Sequence, residues 1–356
     1  MSRMWSAVQK VAGAEIPVGV AASAAGMHAI GIDFGGTNTK LGLLDFSGHV
    51  LAESSFHTAA FVKPRDFAAK VAQEVARLMT RARVSSSGIA GLGIGVPGLV
   101  DNVRGIVHTL VNVPGWDGTN VASLLGDLLK FPIHVENDVN AMAMGELRYG
   151  AARGHENVVC VTLGTGVGGG LILNGRLYHG ATLTAGEIGH IVVDFRGPKC
   201  NCGSKGCLES LIGAEGLMRR ARARIKEGQK AGKKEWKHSV LCGWLREGKV
   251  LTPQLLAKAA GKGDKTALLV WDEAAGYLGI VFAGITNLLN PDLFVLGGGI
   301  SAAGNFFLQR VREVVSTHAM AVPAKKVKIL RSELGNLAGV LGAGSLVFER
   351  KGGKRG

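Results

Sequence analysis

A cluster of soft metal ligands lies in the second half of the sequence: His190, Cys200, Cys202 and Cys207. One imidazole and three thiolates suit a tetrahedral Zn²⁺ ion, and four protein ligands leave no open position at the metal. The segment between the ligands is rich in Gly and Pro, so we expect it to lack a fixed structure unless a bound metal ion cross-links it. The spacing therefore predicts a structural zinc site, with a disulfide or free thiols as the alternatives.

Three Gly-rich turns share one design, in which an apolar run leads into Gly residues mixed with Thr, Asn or Ser. They are Asp33–Lys40, Leu163–Gly168 and Leu296–Ser301. Because Gly lacks a Cβ, the backbone N–H groups of such turns can approach an anion closely, and Thr hydroxyls add further donors. Each turn alone could be an ordinary hairpin, but the three together predict a phosphate-binding site.

The first of these turns also carries charge. Lys40 could contact a phosphate, and Asp33, which ends the preceding strand, could hold Mg²⁺ directly or through water. The P-loop pattern GxxxxGK[ST] is absent from the sequence. Gly164–Gly169 matches GxGxxG, but it connects a strand to a strand rather than to a helix, which sets aside a dinucleotide-binding fold.

Polar side chains at two further places in the sequence could take part in catalysis or substrate binding. Asn137 and Asp138 follow a buried strand, and phosphoryl transfer to an alcohol needs a base within hydrogen-bond reach of the hydroxyl. Either residue could instead cap the helix predicted to begin near Ala141, and one could cap while the other reacts. Beside the phosphate turns, the pattern favours Asp138 as the base. Glu187 and Glu209 bracket the cysteine cluster and could bind hydroxyl groups or be solvated surface acids.

The elements that must position these residues alternate between strands and helices. The predicted strands are Ala29–Ile32, Leu41–Asp45, Val50–Thr58, Ile89–Val96, Ile133–Val135, Asn157–Leu163, Gly170–Leu173, Leu293–Leu296 and Lys326–Leu330. The predicted helices are Asp66–Ala82, Val121–Lys130, Asn140–Tyr149, Met218–Lys226, Lys265–Leu289 and Leu337–Val347. This alternation is typical of the α/β class. The strand–turn–strand units at Ile30–Leu44 and Val158–Leu173 predict two related lobes.

The composition fits a two-lobed cytoplasmic protein. The 356 residues exceed one ordinary core, and 47% hydrophobic with 19% charged residues suits a globular chain. No apolar run reaches the roughly 20 residues of a membrane span, and the cysteine pattern favours a reducing compartment. We expect Met1–Gly26 to be an extension rather than a signal peptide, or Met27 to be the true start. Half of the net charge of +14 lies in Arg219–Lys237, where we expect solvated surface rather than a nucleic-acid site.

Two of the motifs resemble those of a known family. Glu187–His190 and Cys200–Glu209 are similar, without a mismatch, to the ExGH and CxCGxxGCxE signatures of the ROK sugar kinases, in the actin/hexokinase-like superfamily. The resemblance runs from about Ala29 to Glu349. It implies an α/β, two-lobed ribonuclease-H-like fold with a cleft between the lobes. The implied domains are an extension (1–27), a small lobe (28–136 plus 334–350), a large lobe (137–333) with the zinc loop 187–209, and a basic tail (351–356).

The resemblance also implies roles for individual residues. It makes Asp138 the catalytic base, and it gives the proposed zinc ligand His190 a second contact, to the sugar. The substrate-binding positions that it implies are Gly98, Asn112, Asn137, Asp138, Glu187, His190 and Glu209. The ATP-binding positions that it implies are Asp33, Gly35, Gly36, Thr37, Lys40, Gly164, Thr165, Gly166, Gly297 and Gly298.

The implied activity is phosphorylation of a hexose 6-hydroxyl by Mg·ATP, with glucose favoured over N-acetylglucosamine, N-acetylmannosamine and other hexoses. Polyphosphate is the alternative donor. The family also contains sugar-responsive transcriptional regulators, but residues 1–28 show no helix-turn-helix pattern. The resemblance further implies a homodimer, and we expect neither a nucleic-acid nor a membrane partner.

Overall fold

Two units, each assembled from separate stretches of the chain, make up the protein. The computed structural model describes residues 27–61, 63–110, 113–231, 238–299 and 303–349. Within these ranges, unit 1 consists of residues 27–154, 177–185 and 333–349, and unit 2 consists of residues 155–176 and 186–332. The predicted extension before Met27, the basic tail after 350 and residues 232–237 of the basic segment lie outside the described residues.

Strands and helices alternate through both units. The strands are β1 (His28–Phe34), β2 (Asn38–Leu44), β3 (Val50–His57), β4 (Ile89–Val96), β5 (Gly98–Asp101), β6 (Ile106–Leu110), β7 (Thr119–Asn120), β8 (Ile133–Asn137), β9 (Val158–Leu163), β10 (Val167–Leu173), β11 (Arg176–Leu177), β12 (Leu293–Gly297) and β13 (Lys328–Arg331). The helices are α1 (Pro64–Ala82), α2 (Val121–Leu129), α3 (Asp138–Tyr149), α4 (Leu208–Ile212), α5 (Ala214–Ala231), α6 (Val240–Arg246), α7 (Pro253–Gly261), α8 (Lys265–Leu289), α9 (Asn305–His318), α10 (Ala321–Ala324) and α11 (Ala338–Leu346).

Unit 1 is built on a five-stranded sheet in the order β3-β2-β1-β4-β8. Strands β1, β2 and β3 pair antiparallel, whereas β4 and β8 run parallel to β1. Parallel neighbours need a crossover, and α1 and α2 supply the crossovers that lead into β4 and β8. As a consequence β1, β4 and β8 all end at the same edge of the sheet. A small sheet in the order β5-β6-β7 follows β4.

The two faces of this sheet bury different helices. Ile30, Ile32 and Phe34 alternate along β1 and belong to an apolar cluster with residues of α1 and α2. On the other face, α11 lies so close that a Cβ on Gly31 would meet the carbonyl oxygen of Val340 at 1.9 Å. Glycine in β1 therefore permits the close approach of α11, whose first residues reach the end of β1.

Unit 2 repeats the pattern with the order β11-β10-β9-β12-β13. Strand β10 pairs antiparallel with β9, whereas β12 runs parallel to both β9 and β13. The long helix α8 packs on this sheet, where Phe282 stacks on Phe294 with ring centroids 4.0 Å apart. By length and composition α8 could cross a membrane, but 56% of its apolar window is buried inside the protein, as in a core helix.

The predicted α/β class is confirmed, and the strand Ile89–Val96 and the helix Lys265–Leu289 have their predicted bounds. The helix predicted at Asn140–Tyr149 begins two residues earlier because Asn137 supplies the cap. Sequence periodicity missed the small sheet β5-β6-β7 and the helices α6, α7 and α9. The strands of the small sheet carry too few residues to establish a period. Length does not explain the missed helix α9, whose 14 residues include apolar side chains at helical spacing, among them Phe307, Val311 and Val314.

Candidate active site and metal centre

The edge where β1, β4 and β8 end carries the predicted site residues of unit 1. The strand register places Asp33 beside Gly95, and Val96 beside Asn137. Segments that follow parallel strands gather at the carboxyl edge of a sheet, where α/β proteins usually bind ligands. The first Gly-rich turn and Asp138, which follows β8, therefore lie at one edge of unit 1.

The first Gly-rich turn is closed by its own backbone. The N–H of Gly35 donates to the carbonyl oxygen of Asn38 at 3.1 Å. A Cβ on Gly35 would lie 2.7 Å from that oxygen, so a side chain would open the turn. Gly36 and Thr37 are exposed at the tip, where a phosphate could approach the backbone.

Thr58 braces this turn from a separate segment, directly after β3. Its hydroxyl donates to the carbonyl oxygen of Gly35 at 2.7 Å and lies 2.9 Å from the hydroxyl of Thr39. Its N–H donates to the carbonyl oxygen of Thr37 at 2.9 Å. Sequence reasoning missed Thr58 because it belongs to no motif, and only the pairing of β2 with β3 brings it to the turn.

Asp33 and Lys40 face each other across the β1–β2 hairpin. Burial raises the pKa of the Asp33 carboxyl, and the nearby Lys40 ammonium opposes this effect. A Cβ on Gly339 would lie 2.7 Å from Cγ of Asp33, so the carboxyl packs directly on the start of α11. Lys40 Nζ also donates to the carbonyl oxygen of Asn336 at 3.4 Å. A divalent cation would favour the charged form of this half-buried carboxylate.

Asn137 and Asp138 occupy the junction between β8 and α3. Oδ1 of Asn137 accepts the N–H groups of Val139 at 2.9 Å and Asn140 at 3.1 Å, which makes Asn137 the N-cap. Its Nδ2 donates to the carbonyl oxygen of Gly98 at 3.1 Å, so two predicted substrate-binding positions are joined. Asp138 is the first residue of α3. The cap thus falls to Asn137, and Asp138 stays the predicted base.

Unit 2 brings the second and third Gly-rich turns together, after β9 and β12. The N–H of Gly164 donates to the carbonyl oxygen of Gly166 at 2.9 Å and closes the second turn. Gly297 is the last residue of β12, and Gly298 has a φ of +83°. A Cβ on Gly298 would lie 2.3 Å from the carbonyl oxygen of Leu163. Both this close contact and the positive φ therefore require glycine at this position.

Glu209 links the second turn to the cysteine loop. Its carboxylate accepts the N–H of Val167 at 3.0 Å, and a Cβ on Gly166 would lie 2.4 Å from its Oε2. Helix α5 reaches the same turn, because the N–H of Ala214 donates to the carbonyl oxygen of Thr165 at 3.3 Å. One oxygen of the partly buried Glu209 carboxylate thus holds the turn, whereas the Glu187 side chain is 51% exposed.

The four predicted metal ligands come together in unit 2. The donor atoms of His190, Cys200, Cys202 and Cys207 all lie within 4.8 Å of one another. Sγ of Cys202 and Sγ of Cys207 are 3.7 Å apart, close to the edge of a tetrahedron whose sulfurs lie about 2.3 Å from a zinc ion. All five cysteines of the chain are free thiols. The donor set therefore fits a tetrahedral Zn²⁺ ion, and the disulfide alternative is wrong.

His190 presents its two ring nitrogens to different groups. Nδ1 lies 3.6 Å from Sγ of Cys200, whereas Nε2 lies 3.8 Å from Oε2 of Glu187. One nitrogen is directed at the metal donors while the other faces a carboxylate, an arrangement common at protein metal sites. A single imidazole could therefore serve the metal on one side and a substrate on the other.

The predicted site residues divide between the units. Gly98, Asn137, Asp138 and the first turn belong to unit 1, whereas Glu187–Glu209 and the second and third turns belong to unit 2. Asn112, predicted to face the substrate, lies outside the described residues. Residues 300–302 at the end of the third turn lie outside them as well.

Comparison with known proteins gives consistent matches. The sequence matches the ROK family over residues 29–350. It is 35% identical over 323 residues to a glucokinase of Halalkalibacterium halodurans, covering 90% of this chain and 95% of that protein. It is 29% identical over 322 residues to a xylose repressor of Bacillus subtilis, covering 90% of this chain and 77% of that protein.

Among solved structures, the chain resembles a ROK family glucokinase from Streptomyces griseus in complex with glucose and AMPPNP. The TM-score is 0.72 and the identity 31%, over 90% of this chain and 98% of that one. The two sheets and these similarities define the class of the protein, a sugar kinase with the two-lobed actin/hexokinase-like fold. Within that class, the chain belongs to the ROK family.

Proposed function

We propose that this protein transfers the γ-phosphoryl group of Mg·ATP to the 6-hydroxyl of glucose. The observation that carries the proposal is the position of Asp138, at the same edge of unit 1 as the first Gly-rich turn. A base and a phosphate-binding turn on one rigid sheet edge provide the positioning on which phosphoryl transfer depends. The identity of 35% to a glucokinase supports glucose as the substrate.

The residues of unit 1 carry the proton transfer and part of the nucleotide binding. Asp138 accepts the proton of the 6-hydroxyl, and the hydroxyl oxygen attacks the γ-phosphorus in line, while the bond to the β–γ bridging oxygen breaks and ADP leaves. Asn137 and Gly98, already joined by a hydrogen bond, bind the sugar beside the base. Asp33 holds Mg²⁺ directly or through water, and Lys40 with the exposed turn favours the negative charge of the phosphates.

The residues of unit 2 bind the sugar and the rest of the nucleotide. The carboxylates of Glu187 and Glu209 accept hydrogen bonds from sugar hydroxyls, and the His190 ring forms another with the sugar, in the roles that the family resemblance implies. The second turn, closed by the N–H of Gly164, donates the backbone N–H groups of Thr165 and Gly166 to the phosphates, and Gly297–Gly298 contacts the adenosine side. Asn112 remains a further predicted sugar contact.

We also propose that His190 and the three cysteines of the loop bind one Zn²⁺ ion. The compact set of four soft donors supports this assignment. When bound, the ion would cross-link the loop and orient both the His190 ring and Glu209, with no direct part in proton or phosphoryl transfer. The Gly and Pro content of the loop makes such a tie important for its order.

N-acetylglucosamine and N-acetylmannosamine are the alternative substrates, and polyphosphate is the alternative donor. The similarity to a glucokinase whose structure contains glucose and AMPPNP favours glucose and ATP. As the family resemblance implies, we expect a homodimer in solution, which light scattering on the purified protein would test.

The proposal is tested by measuring ADP release from Mg·ATP with glucose, N-acetylglucosamine, N-acetylmannosamine, mannose and fructose, and without sugar. We expect the highest kcat/KM with glucose and little release without sugar. A preference for an N-acetyl sugar would keep the mechanism and change the substrate. A folded, zinc-loaded protein that phosphorylates none of these sugars, with ATP or polyphosphate, would overturn the proposal.

A further inference from the structure

A buried carboxylate lies two residues before the proposed base and has no part in the mechanism above. Glu136 is 4% exposed, and its carboxylate accepts four hydrogen bonds. Oε1 accepts the N–H of Asn137 at 2.9 Å and Nδ2 of Asn140 at 3.0 Å. Oε2 accepts Nδ2 of Asn102 at 3.0 Å and Nε2 of His179 at 2.8 Å. All of these residues belong to unit 1.

The donors reach Glu136 from separate segments of unit 1. Asn137 ends β8, Asn140 lies in the first turn of α3, and Asn102 follows β5. His179 belongs to residues 177–185, which lie between two stretches of unit 2 in the sequence yet form part of unit 1. One carboxylate therefore joins three segments around the start of α3, which are residues 136–140, the turn after β5 and residues 177–185.

The partners of Glu136 stabilise the charged form of its carboxylate. Burial would raise the pKa of Glu136, but the hydrogen bond and charge of His179, with the donors of Asn140 and Asn137, outweigh burial and lower the pKa. The hydrogen bond from His179 to Glu136 in turn raises the pKa of His179 against the effect of burial, with a smaller contribution from Glu349. A buried histidine–carboxylate pair adds little net stability compared with apolar packing. Its contacts with Asn137 and Asn140, on either side of Asp138 in the sequence, therefore point to a role in positioning.

We propose that Glu136 is a positioning residue for Asp138, and that His179 and Asn102 fix the carboxylate that does so. Oε1 of Glu136 holds the backbone before Asp138 and the side chain of Asn140 after it, so the first turn of α3 cannot rotate freely. Oε2 is fixed by the other two donors, which sets the rotamer of the carboxylate. The inference rests on the proposed kinase function, in which the Asp138 carboxylate must meet the sugar hydroxyl.

The direct test is Glu136→Gln. The glutamine amide keeps the shape of the side chain but turns an N–H group toward two donors, so the first turn of α3 should shift. We expect kcat to fall by about 10- to 100-fold, as small displacements of catalytic groups do, while KM for ATP changes by less than about 3-fold. A folded variant with the kcat of the wild type would overturn the proposal.

Glu146→Gln is the matched control. Glu146 lies near the other end of α3, is fully buried, and accepts the N–H groups of Ala151 at 2.8 Å and Leu334 at 3.2 Å. The same isosteric change there removes a buried carboxylate away from the proposed site. We expect this control to lower the melting temperature and leave kcat close to the wild type. Equal losses of kcat in both variants would assign Glu136 a structural role only and would overturn the positioning role.

His179→Ala tests the same network at a position with a side chain that is 22% exposed, and it replaces Glu136→Gln should that variant not fold. We expect a reduced kcat that added imidazole restores in part, more strongly at a pH at which imidazole carries a proton. A kcat that is unchanged by the substitution, or reduced and insensitive to imidazole, would overturn the role of His179. Wild-type protein without kinase activity would reject the proposed function itself, whereas active wild type with active variants would reject only the positioning role.

Discussion

The two units hold their Gly-rich turns by different means. In unit 1, the Thr58 hydroxyl braces the first turn, and the cap of Asn137 with the hydrogen bonds of Glu136 fixes the start of α3. In unit 2, the Glu209 carboxylate holds the backbone of the second turn, and Glu209 directly follows the loop of metal ligands. Unit 1 thus relies on buried hydrogen bonds, and unit 2 on a loop that a metal ion would order.

This difference predicts different sensitivities. Replacing a single atom can disrupt a buried hydrogen-bond network, because each buried polar group that is left without a partner costs about 1–3 kcal/mol of free energy. A metal-tied loop tolerates conservative changes away from its ligands, but it fails as a whole when the metal is lost, since structural zinc contributes folding energy. Single-atom substitutions should therefore impair unit 1, and chelators should impair unit 2.

The largest effect is expected from Asp138→Asn in unit 1. The amide oxygen can still accept the N–H of Val139, as Oδ1 of Asp138 does at 3.0 Å, so the fold should be kept. Loss of the base should lower kcat by about 10²- to 10⁴-fold, measured as ADP release with glucose. Asp127→Asn, an exposed acid on α2, is the control and should behave as wild type. Turnover by Asp138→Asn within tenfold of the wild type would show that another group accepts the proton.

Removal of the metal should produce the largest effect in unit 2. We expect purified protein to contain about one zinc per chain, and expect a chelator or Cys207→Ser to remove it with loss of most of the activity. Hydrogen exchange should then rise along residues 187–213 and stay unchanged along β1 and β4. Cys242→Ser changes a free cysteine outside the cluster and should keep both zinc and activity. Full activity in metal-free protein would remove the proposed distinction between the two units.

Gly166→Ala should have an intermediate effect, because it moves Glu209 without touching the metal ligands. The new Cβ would lie 2.4 Å from Oε2 of Glu209, so the carboxylate must leave the N–H of Val167. We expect KM for the sugar to rise by about 3- to 10-fold, which corresponds to the loss of one hydrogen bond of about 1 kcal/mol. Gly284→Ala, on α8 where a Cβ meets nothing within 4 Å, is the control and should leave KM unchanged. An unchanged KM in Gly166→Ala would separate Glu209 from sugar binding.

The sequence could predict those parts of the site that depend on local spacing. The Gly-rich turns and the ligands from His190 to Cys207 each lie within one short segment, so their geometry follows from neighbouring residues. Asn137 and Asp138 were both candidate caps, and only the helix start distinguishes them. The zinc ion and the individual sugar and ATP contacts, Asn112 among them, stay predictions.

The residues that hold the first turn and the start of α3 in unit 1 could not be predicted, because their hydrogen bonds join segments that are distant in the sequence. Thr58 meets Gly35 only through the pairing of β2 with β3. Glu136 and His179 are 43 positions apart, and no spacing rule connects them. Each of these residues looks like an ordinary surface or strand residue in the sequence. Tertiary structure, rather than local pattern, therefore decides which polar residues hold the site in place.

The smallest effect is expected from Thr58→Val, which removes one hydroxyl and keeps the branched shape of the side chain. The carbonyl oxygen of Gly35 and the buried hydroxyl of Thr39 each lose a partner, so the free energy of unfolding should fall by about 1–2 kcal/mol. Because only the phosphate turn loosens, KM for ATP should rise by about 2- to 5-fold while KM for the sugar stays constant. Thr58→Ser retains the hydroxyl and should restore most of the affinity for ATP. Equal KM values for ATP in the valine and serine variants would mean that the turn holds its shape without this brace, and the reliance of unit 1 on buried hydrogen bonds would then be limited to the start of α3.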